Sequence, residues 1–377
     1  MASVLISCGE PSGDLYAGAL VDALRALDPG LKVRGLGGER LEAAGAGMVG
    51  DYRGITVTGL VEAIRVLPKS LALYRRLVDA ARTERPDVFV AIDFPDFNFR
   101  VAGAMRRRGI PVVYYIPPQL WAWRSGRMRT LRALADRILV IFPFEPEIYR
   151  AAGVPATFVG HPLVDLATAS ESREVFLRGL GLDPARPTLA VLPGSRPNEI
   201  RQILPTIVDA LPRIGARVPG VQFVLARAPR LADELFAPVA ASPVAVAVVE
   251  RAADEVLASA DAVVTASGTA TVQAAIHECP MVIVYRVAPL SYALGRRFVH
   301  VDTFGMENLV AGERVAPELI QDGFTADAVA DHAIRLLTDG EAHARAVAAL
   351  RDVKARLGGG GASRRAAEAV LEVARKR

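Results

Sequence analysis

Short runs of apolar residues alternate along the chain with longer stretches rich in alanine, leucine and arginine. The apolar runs predict strands, and most are apolar throughout, which is typical of parallel strands covered by helices on both faces. In the first half the predicted strands are residues 4–8, 32–36, 87–92, 111–116, 137–142 and 157–159. The helical stretches there are 14–27, 70–83 and 99–108.

The same alternation restarts in the second half. It predicts strands at 188–192, 222–226, 244–249, 262–265 and 281–285, and helices at 198–214, 254–260, 269–277 and 290–299. Two successive series predict an α/β protein of two Rossmann-like, doubly wound domains facing across a cleft. We place the domains at 1–165 and 166–377, with the seam within 161–187. Whether the last helices, beyond the glycine run at 358–361, pack back on the first domain stays open.

Composition narrows the class of protein. The chain has 377 residues, 51% of them hydrophobic, a net charge of +4 and two cysteines, which excludes disordered chains and disulfide scaffolds. No basic run exceeds three residues, so we expect no nucleic-acid partner. No apolar run reaches about 18 residues and residues 1–13 do not resemble a signal peptide, so we expect a soluble or peripheral cytoplasmic protein.

Ligands of doubly wound sheets bind beyond the carboxyl ends of the strands, so the residues that follow each strand are the candidates. The first strand ends in GEPSGD, where Glu10 lies beside a helix start and Ser12 or Asp14 is placed to cap that helix. The alternative is an ordinary turn. The third strand ends in IDFPDFN, where Asp93 and Asp96 are candidate general bases. The alternative for Asp96 is a cap of the helix that begins near residue 99.

The segment PPQLWAWR follows the next strand and contains both tryptophans of the chain. Trp121 and Trp123 beside Arg124 suit a sugar face or a phosphate, although a tryptophan pair that fills the core is an equal alternative.

Two turns of the second half suit an anion. LPGSR contributes Ser195 and Arg196, with backbone N–H groups at 194–195 expected to be free, and ASGTAT contributes Ser267, Gly268 and Thr269 at a helix start. Each turn alone is unspecific, but together they indicate a diphosphate. Gln273, one turn into the helix, is placed to reach a ribose hydroxyl. Neither turn is a Walker loop, the dinucleotide fingerprint is missing, and the five histidines lack metal-ligand spacing.

Residues 61–77 read VEAIRVLPKSLALYRRL, which mixes apolar and basic positions. Such a segment suits an anionic lipid surface or an acyl-chain site, and an ordinary amphipathic helix is the alternative.

Taken in order, these segments resemble one family, the lipid-A-disaccharide synthases, glycosyltransferases of the two-domain GT-B type. The matching pieces are GEPSGD, GLGGERLEAAG, IDFPDFN, PPQLWAWR, FPFEPEIY, FVGHPLVD, LPGSR, ASGTAT, CPMVIVYR, ENLVAG and PELIQ. The resemblance implies transfer of 2,3-diacylglucosamine from its UDP donor to 2,3-diacylglucosamine 1-phosphate with inversion. It also implies action at the cytoplasmic face of the inner membrane, and it leaves a homodimer open.

The resemblance also assigns roles to residues of this chain. Asp93 is the leading candidate for the base, followed by Glu10 and Asp96. The diphosphate is expected at Ser195, Arg196, Ser267, Gly268 and Thr269 with no metal and no cofactor, and Asn308 and Glu313 are expected to complete the donor site. The acceptor is expected at Ser12, Gly13, Trp121, Trp123 and Arg124.

Three positions depart from the family pattern: Gln273 replaces the usual Glu, Glu307 stands where Pro is common, and Pro11 replaces Ala or Ser. Three other functions remain alternatives. They are a related GT-B enzyme such as a UDP-sugar 2-epimerase, a non-catalytic lipid or nucleotide binder, and a less favoured NAD oxidoreductase.

Overall fold

The structure, a computed structural model, describes residues 2–53, 60–119, 125–286 and 305–376. The chain divides into two compact units. The first unit is Met1–Pro162 with Gly358–Arg377, and the second unit is Leu163–Leu357.

The first unit is built on a seven-stranded, wholly parallel sheet in the order β3-β2-β1-β4-β5-β6-β7. Its strands are β1 (Ser3–Ser7), β2 (Lys32–Gly37), β3 (Gly47–Asp51), β4 (Val88–Ile92), β5 (Val112–Tyr115), β6 (Arg137–Val140) and β7 (Ala156–Phe158). Before its last helix, the helices that the structure describes in this unit are α1 (Pro11–Leu27), α2 (Glu39–Ala43), α3 (Leu60–Glu84), α4 (Pro95–Arg106), α5 (Met128–Leu134) and α6 (Glu145–Ala151), with a 3-10 turn at Ser125–Arg127.

The second unit has a six-stranded parallel sheet in the order β10-β9-β8-β11-β12-β13. Its strands are β8 (Thr188–Leu192), β9 (Gln222–Arg227), β10 (Val246–Glu250), β11 (Ala262–Ala266), β12 (Met281–Tyr285) and β13 (Glu318–Ile320). Its α-helices are α7 (Leu163–Leu166), α8 (Arg173–Gly179), α9 (Pro197–Arg217), α10 (Ala237–Ala240), α11 (Ala253–Ser259), α12 (Thr269–Ile276), α13 (Met306–Ala311), α14 (Ala326–Thr338) and α15 (Gly340–Arg356), with 3-10 turns at Asp233–Phe236 and Gln321–Gly323.

Apolar side chains cover both sheets. In the first unit Phe89, Tyr114 and Val101 are fully buried between the strands and their covering helices. In the second unit α9 and α14 pack together against the same face of the sheet, and Ile203 and Leu204 of α9 are fully buried. These cores confirm the predicted pair of parallel α/β domains.

The last helix, α16 (Ala362–Arg375), lies in the first unit and packs on α1. The glycine run before it makes this return feasible, since Gly358 has a φ of +91° and a Cβ there would lie 3.2 Å from the Cα of Gly160. The Arg365 guanidinium donates to the carbonyl of Val159 at 2.9 Å. Helix α16 is therefore part of the first unit, although it follows the second unit in the sequence.

The structure departs from the sequence prediction in several elements, among them β3, β13, α3 and α4. Strands β3 and β13 were not predicted; both are short edge strands, and the side chains of β3 are at least partly exposed. Helix α3 starts ten residues before the predicted helix, at Leu60, and it continues through Pro68. Helix α4 starts at Pro95 rather than near residue 99. The predicted helix at 290–299 lies outside the described residues.

Candidate functional site

Three neighbouring strands of the first sheet, β1, β4 and β5, end beside one another because they are parallel and adjacent. The backbone just beyond two of them is left-handed, with φ values of +45° at Asp93, +50° at Phe94 and +57° at Ile116. Left-handed non-glycine residues store strain of about 1–3 kcal/mol each and concentrate at functional sites. The predicted edge therefore carries most of the left-handed, strained non-glycine residues described in this unit.

The backbone of Asp93 is held from three sides. Its carbonyl accepts from Asn98 Nδ2 at 2.8 Å and from the Tyr114 hydroxyl at 2.9 Å, and its N–H donates to the carbonyl of Ile116 at 3.2 Å. Burial raises the pKa of Tyr114, and the nearby Asp93 adds to the rise, so this hydroxyl remains a donor. The Asp93 side chain is only partly buried. These contacts fix the main chain and leave the carboxylate at the rim of the sheet.

Glu10 lies next to this rim. Gly9 touches Phe94 so closely that a Cβ at position 9 would lie 2.1 Å from the ring, and Phe94 in turn stacks on Phe97 with centroids 5.1 Å apart. Glu10 occupies the N-cap position of α1 with extended backbone and is half-buried. The structure thus brings the turn that carries Glu10 against the turn that carries Asp93.

The remaining residues of GEPSGD have structural roles, and Asp14 caps a different helix from the one predicted. Asp14 does not cap its own helix; its carboxylate accepts from the N–H groups of Gly38, Arg40 and Leu41 at 2.7, 2.9 and 3.2 Å and so caps α2. Gly13 is buried, and a Cβ there would lie 3.4 Å from the Cβ of Cys8. Ser12 is half-buried in the first turn of α1.

Asp96 differs from Asp93 in its surroundings. It lies in the first turn of α4, whose N-cap residue is Phe94, so the idea that Asp96 caps a helix near residue 99 is wrong. Its carboxylate pairs with Arg127 at 2.5 Å, and its side chain is 69% exposed. Because its carboxylate is exposed and already paired with a guanidinium, Asp96 is the least suited of the three acidic candidates.

Trp121, Trp123 and Arg124 lie outside the described residues. The segment before them is anchored, because the Tyr149 hydroxyl donates to the carbonyl of Pro118 at 3.2 Å.

In the second sheet β8 and β11 are adjacent, so the two predicted anion turns lie at one edge. In the first turn the N–H group of Ser195 is not free, contrary to the prediction, and neither is that of Arg196. Both donate to Glu199 Oε2, at 3.1 and 3.2 Å, and the Arg196 guanidinium donates to Glu199 Oε1 at 2.8 Å. A carboxylate of the chain itself therefore occupies the place where an anion is expected.

The second turn is more open. Gly268 has a φ of +148°, a conformation that favours glycine, and a Cβ there would meet no atom of the described residues within 4 Å. The Thr271 N–H and hydroxyl donate back to the Gly268 carbonyl, at 3.1 and 2.9 Å, while Ser267 N–H donates to Val284. Thr269 begins α12, whose positive end therefore points at space that an anion can enter.

Gln273 has a partner that sequence reasoning missed. Its Nε2 donates to Asp254 Oδ1 at 3.0 Å, and His277 Nε2 lies 3.0 Å from the same oxygen. Asp254 lies in the first turn of α11, shortly after a strand. This position is the one signal by which the sequence singles it out. A carboxylate therefore lies beside the position where the family pattern has Glu and this chain has Gln.

Asn308 and Glu313 do not line an open pocket together. Asn308 is buried, its Oδ1 accepts from the N–H groups of Val315 and Ala316 at 2.8 and 2.9 Å, and its Nδ2 donates to Glu318 at 2.7 Å. Glu313 is exposed. Asn308 therefore holds the loop after α13. Its contact with the donor stays a prediction.

Glu307, beside Asn308, is the most unusual carboxylate of the second unit. It is 1% exposed, and neither carboxylate oxygen has a hydrogen-bond partner among the described residues. Burial raises its pKa to about 7, and the charge of Glu318 adds to the rise, while the nearby Thr271 side chain opposes it.

Replacing Glu307 with Gln is expected to flatten the pH dependence of stability. Because the folded pKa lies above its usual value of 4.5, the folded state holds the proton longer, and stability is lost as the pH rises toward 7. From pH 5 to pH 8 the wild type should lose about 2 kcal/mol more unfolding free energy than the variant. Urea denaturation at both pH values measures this; equal losses would contradict the buried, protonated carboxyl.

No group of three or more histidine, cysteine, aspartate or glutamate side chains within the described ranges is arranged to hold a metal ion. The helices in those ranges also include none that is long and apolar enough to cross a bilayer.

Comparison with known proteins identifies the family to which the chain with these two sheet edges belongs. A family model described as lipid-A-disaccharide synthetase matches residues 4–373. The chain is 44% identical over 384 residues to the lipid-A-disaccharide synthase of Koribacter versatilis (strain Ellin345), with 100% of both chains covered. The chain belongs to the lipid-A-disaccharide synthetase family. As a member of that family, it is a glycosyltransferase of lipid A biosynthesis.

Solved structures extend the comparison to the fold alone. A UDP-N-acetylglucosamine 2-epimerase from Listeria monocytogenes superposes with a TM-score of 0.69 at 15% identity, covering 100% of this chain and 97% of that one. The glycosyltransferase of kitacinnamycin superposes with a TM-score of 0.67 at 19% identity, covering 99% of both. The likeness shows the GT-B fold that lipid-A-disaccharide synthetases share with epimerases.

Proposed function

We propose that the chain transfers 2,3-diacylglucosamine from its UDP donor to the 6-hydroxyl of 2,3-diacylglucosamine 1-phosphate, with inversion, giving a β-1,6-linked disaccharide 1-phosphate and UDP. The observation that carries the proposal is that this member of the family has a candidate site at the sheet edge of each unit, and that the two sites differ in their chemistry. The first unit presents the strained Asp93, and the second presents an arginine and an open helix start suited to a diphosphate.

Asp93 is proposed as the base that removes the proton from the acceptor hydroxyl. Its main chain is held by Asn98, Tyr114 and Ile116, so the carboxylate works from a fixed point rather than from a flexible loop. Glu10, on the adjoining turn, is the second candidate. A fixed base contributes about a hundredfold to ten-thousandfold in rate.

The leaving diphosphate is proposed to bind at Arg196 and at the turn Ser267–Thr269. The negative charge on UDP grows as the glycosidic bond breaks, and a guanidinium with the positive end of α12 stabilises that charge more in the transition state than in the ground state. Binding requires Arg196 to exchange Glu199 for phosphate oxygens. Thr269 and Ser267 supply hydroxyls, and Asp254 with Gln273 is placed to receive ribose hydroxyls.

For the acceptor we propose the edge of the first unit, with Ser12, Gly13, Trp121, Trp123 and Arg124 as contacts. We also propose peripheral binding at the cytoplasmic face of the inner membrane. The support for it is the side of α3 where Leu67 and Leu71 are 55% and 46% exposed, close in sequence to the exposed Lys69, Arg75 and Arg76.

Mass spectrometry of the products tests the reaction. With UDP-diacylglucosamine and diacylglucosamine 1-phosphate, we expect a disaccharide monophosphate and one UDP per disaccharide, and no disaccharide when the acceptor is omitted. Recovery of an epimerised UDP-sugar would indicate the related epimerase activity instead. Binding of both substrates with no product would indicate a binding protein.

A further inference from the structure

An apolar groove lies between α3 and α4 on the first unit. It has a volume of about 470 Å³ and is lined by Leu67, Leu71 and Tyr74 from α3 and by Phe97, Phe99 and Gly103 from α4, with Ser70, Arg100 and Arg107 at its margins. Leu67 and Leu71 are two of the four large hydrophobic side chains that are exposed in the described part of the chain. A volume of this size is that of a small-molecule site rather than a packing defect.

The groove continues into a second, charged cavity of about 240 Å³. This cavity is lined by Asp96, Phe99, Arg100, Arg127 and Thr130, so Phe99 and Arg100 border both spaces. Two guanidinium groups and a threonine side chain therefore lie at the end of an apolar groove. The ion pair between Arg127 and Asp96 is exposed, and exposed pairs contribute only about 0–1 kcal/mol, so a phosphate can replace the carboxylate.

The length of the groove suits one acyl chain. Along α4 it extends from Phe97 to Arg107, ten residues apart, which is about 15 Å of helix. One acyl chain crosses half of the hydrocarbon core of a bilayer. Because that core is about 30 Å thick, half of it has the same length as the groove. The charged cavity begins at Asp96, three residues after Asp93, so an anionic head group there lies on the same turn as the proposed base.

We propose that this groove binds one fatty acyl chain of the acceptor and that Arg100 and Arg127 at its end bind the acceptor's phosphate. The proposal rests on the proposed function for the identity of the ligand, a phosphorylated sugar with acyl chains.

Calorimetry of the full chain with alkyl phosphates below their micelle concentrations tests the groove without any donor. Dodecyl phosphate should bind about tenfold tighter than decyl phosphate, because each buried methylene contributes about 0.8 kcal/mol. Inorganic phosphate should bind far more weakly than either. Equal affinity for both chain lengths would overturn the apolar part of the site.

Two variants separate the parts of the site. Leu71→Glu should weaken dodecyl phosphate binding at least tenfold, and Arg100→Gln should weaken it while keeping the gain from decyl to dodecyl. Val175→Glu is the matched control, since Val175 is also exposed, at 57%, but lies in the second unit. Circular dichroism checks that each variant folds; retained dodecyl phosphate binding in folded Leu71→Glu would overturn the proposal.

Vesicle sedimentation distinguishes the groove from a bilayer-binding surface. If Leu71→Glu lost binding to anionic vesicles but bound dodecyl phosphate like the wild type, the leucines would serve the membrane and the groove proposal would be wrong. If alkyl phosphates bound as expected but no disaccharide formed, the proposed function would fail while the groove stood.

Discussion

Asp93→Asn is expected to lower turnover by about a hundredfold to ten-thousandfold with the fold intact. Asparagine keeps the shape of the side chain but cannot accept the proton of the attacking hydroxyl. The main-chain contacts to Asn98, Tyr114 and Ile116 do not depend on the carboxylate, so the left-handed turn should survive. UDP affinity should stay unchanged, because the proposed diphosphate site lies in the second unit. Steady-state rates of UDP release with both substrates measure the effect.

Asp22→Asn is the control for the loss of one carboxylate, since Asp22 is exposed on α1 of the same unit. It should keep wild-type turnover. Glu10→Gln separates the two acidic candidates on adjoining turns. If Asp93→Asn kept wild-type turnover while Glu10→Gln lost it, the base would be Glu10.

Arg196→Ala is expected to weaken UDP binding by about tenfold to a hundredfold, because a hydrogen bond to a charged group contributes about 1.5–3 kcal/mol. Calorimetric titration with UDP measures the loss directly. Arg201→Ala, on the same helix, is the control; its guanidinium is exposed and donates to Asn198 at 3.0 Å. Unchanged affinity in Arg196→Ala would refute the proposed contact.

A double variant separates two causes of that loss. Without Arg196, the Glu199 carboxylate keeps its charge next to the incoming diphosphate and repels it. Arg196→Ala combined with Glu199→Gln removes that repulsion. If the guanidinium itself binds phosphate, affinity in the double variant should remain well below the wild type; full recovery would mean that Arg196 only neutralises Glu199.

The sequence predicted the central strands best. Strands β8 and β12 were predicted with their observed bounds because both lie in the interior of the sheet and are apolar along most of their length. Strands β3 and β13 were missed because edge strands are short, and β3, GMVGD, has too few buried positions to show a pattern. The predicted helix at 70–83 starts ten residues too late, although the amphipathic-helix alternative for residues 61–77 covers most of the missing part; Pro68 lies inside the observed helix.

The candidate site was predicted as a set of turns but not as a set of contacts. Strand ends are readable in a sequence, so Asp93, Glu10, Arg196 and Gly268 could be singled out as candidates. The partners of a side chain across the fold are not readable. Asp14 caps a helix more than twenty residues away, Asn308 closes its own loop, and Glu199 fills the expected anion position. Asp254 was missed for the same reason, since its contact with Gln273 joins two helices.

A crystal structure of the chain with UDP tests the central claim most directly, namely that the second unit binds the diphosphate with an arginine and a helix start. We expect the diphosphate oxygens within hydrogen-bond distance of the Arg196 guanidinium and of the N–H groups at Gly268 and Thr269, with Glu199 displaced from Arg196. A diphosphate bound instead at the edge of the first unit, beside Asp93 and Glu10, would contradict the account.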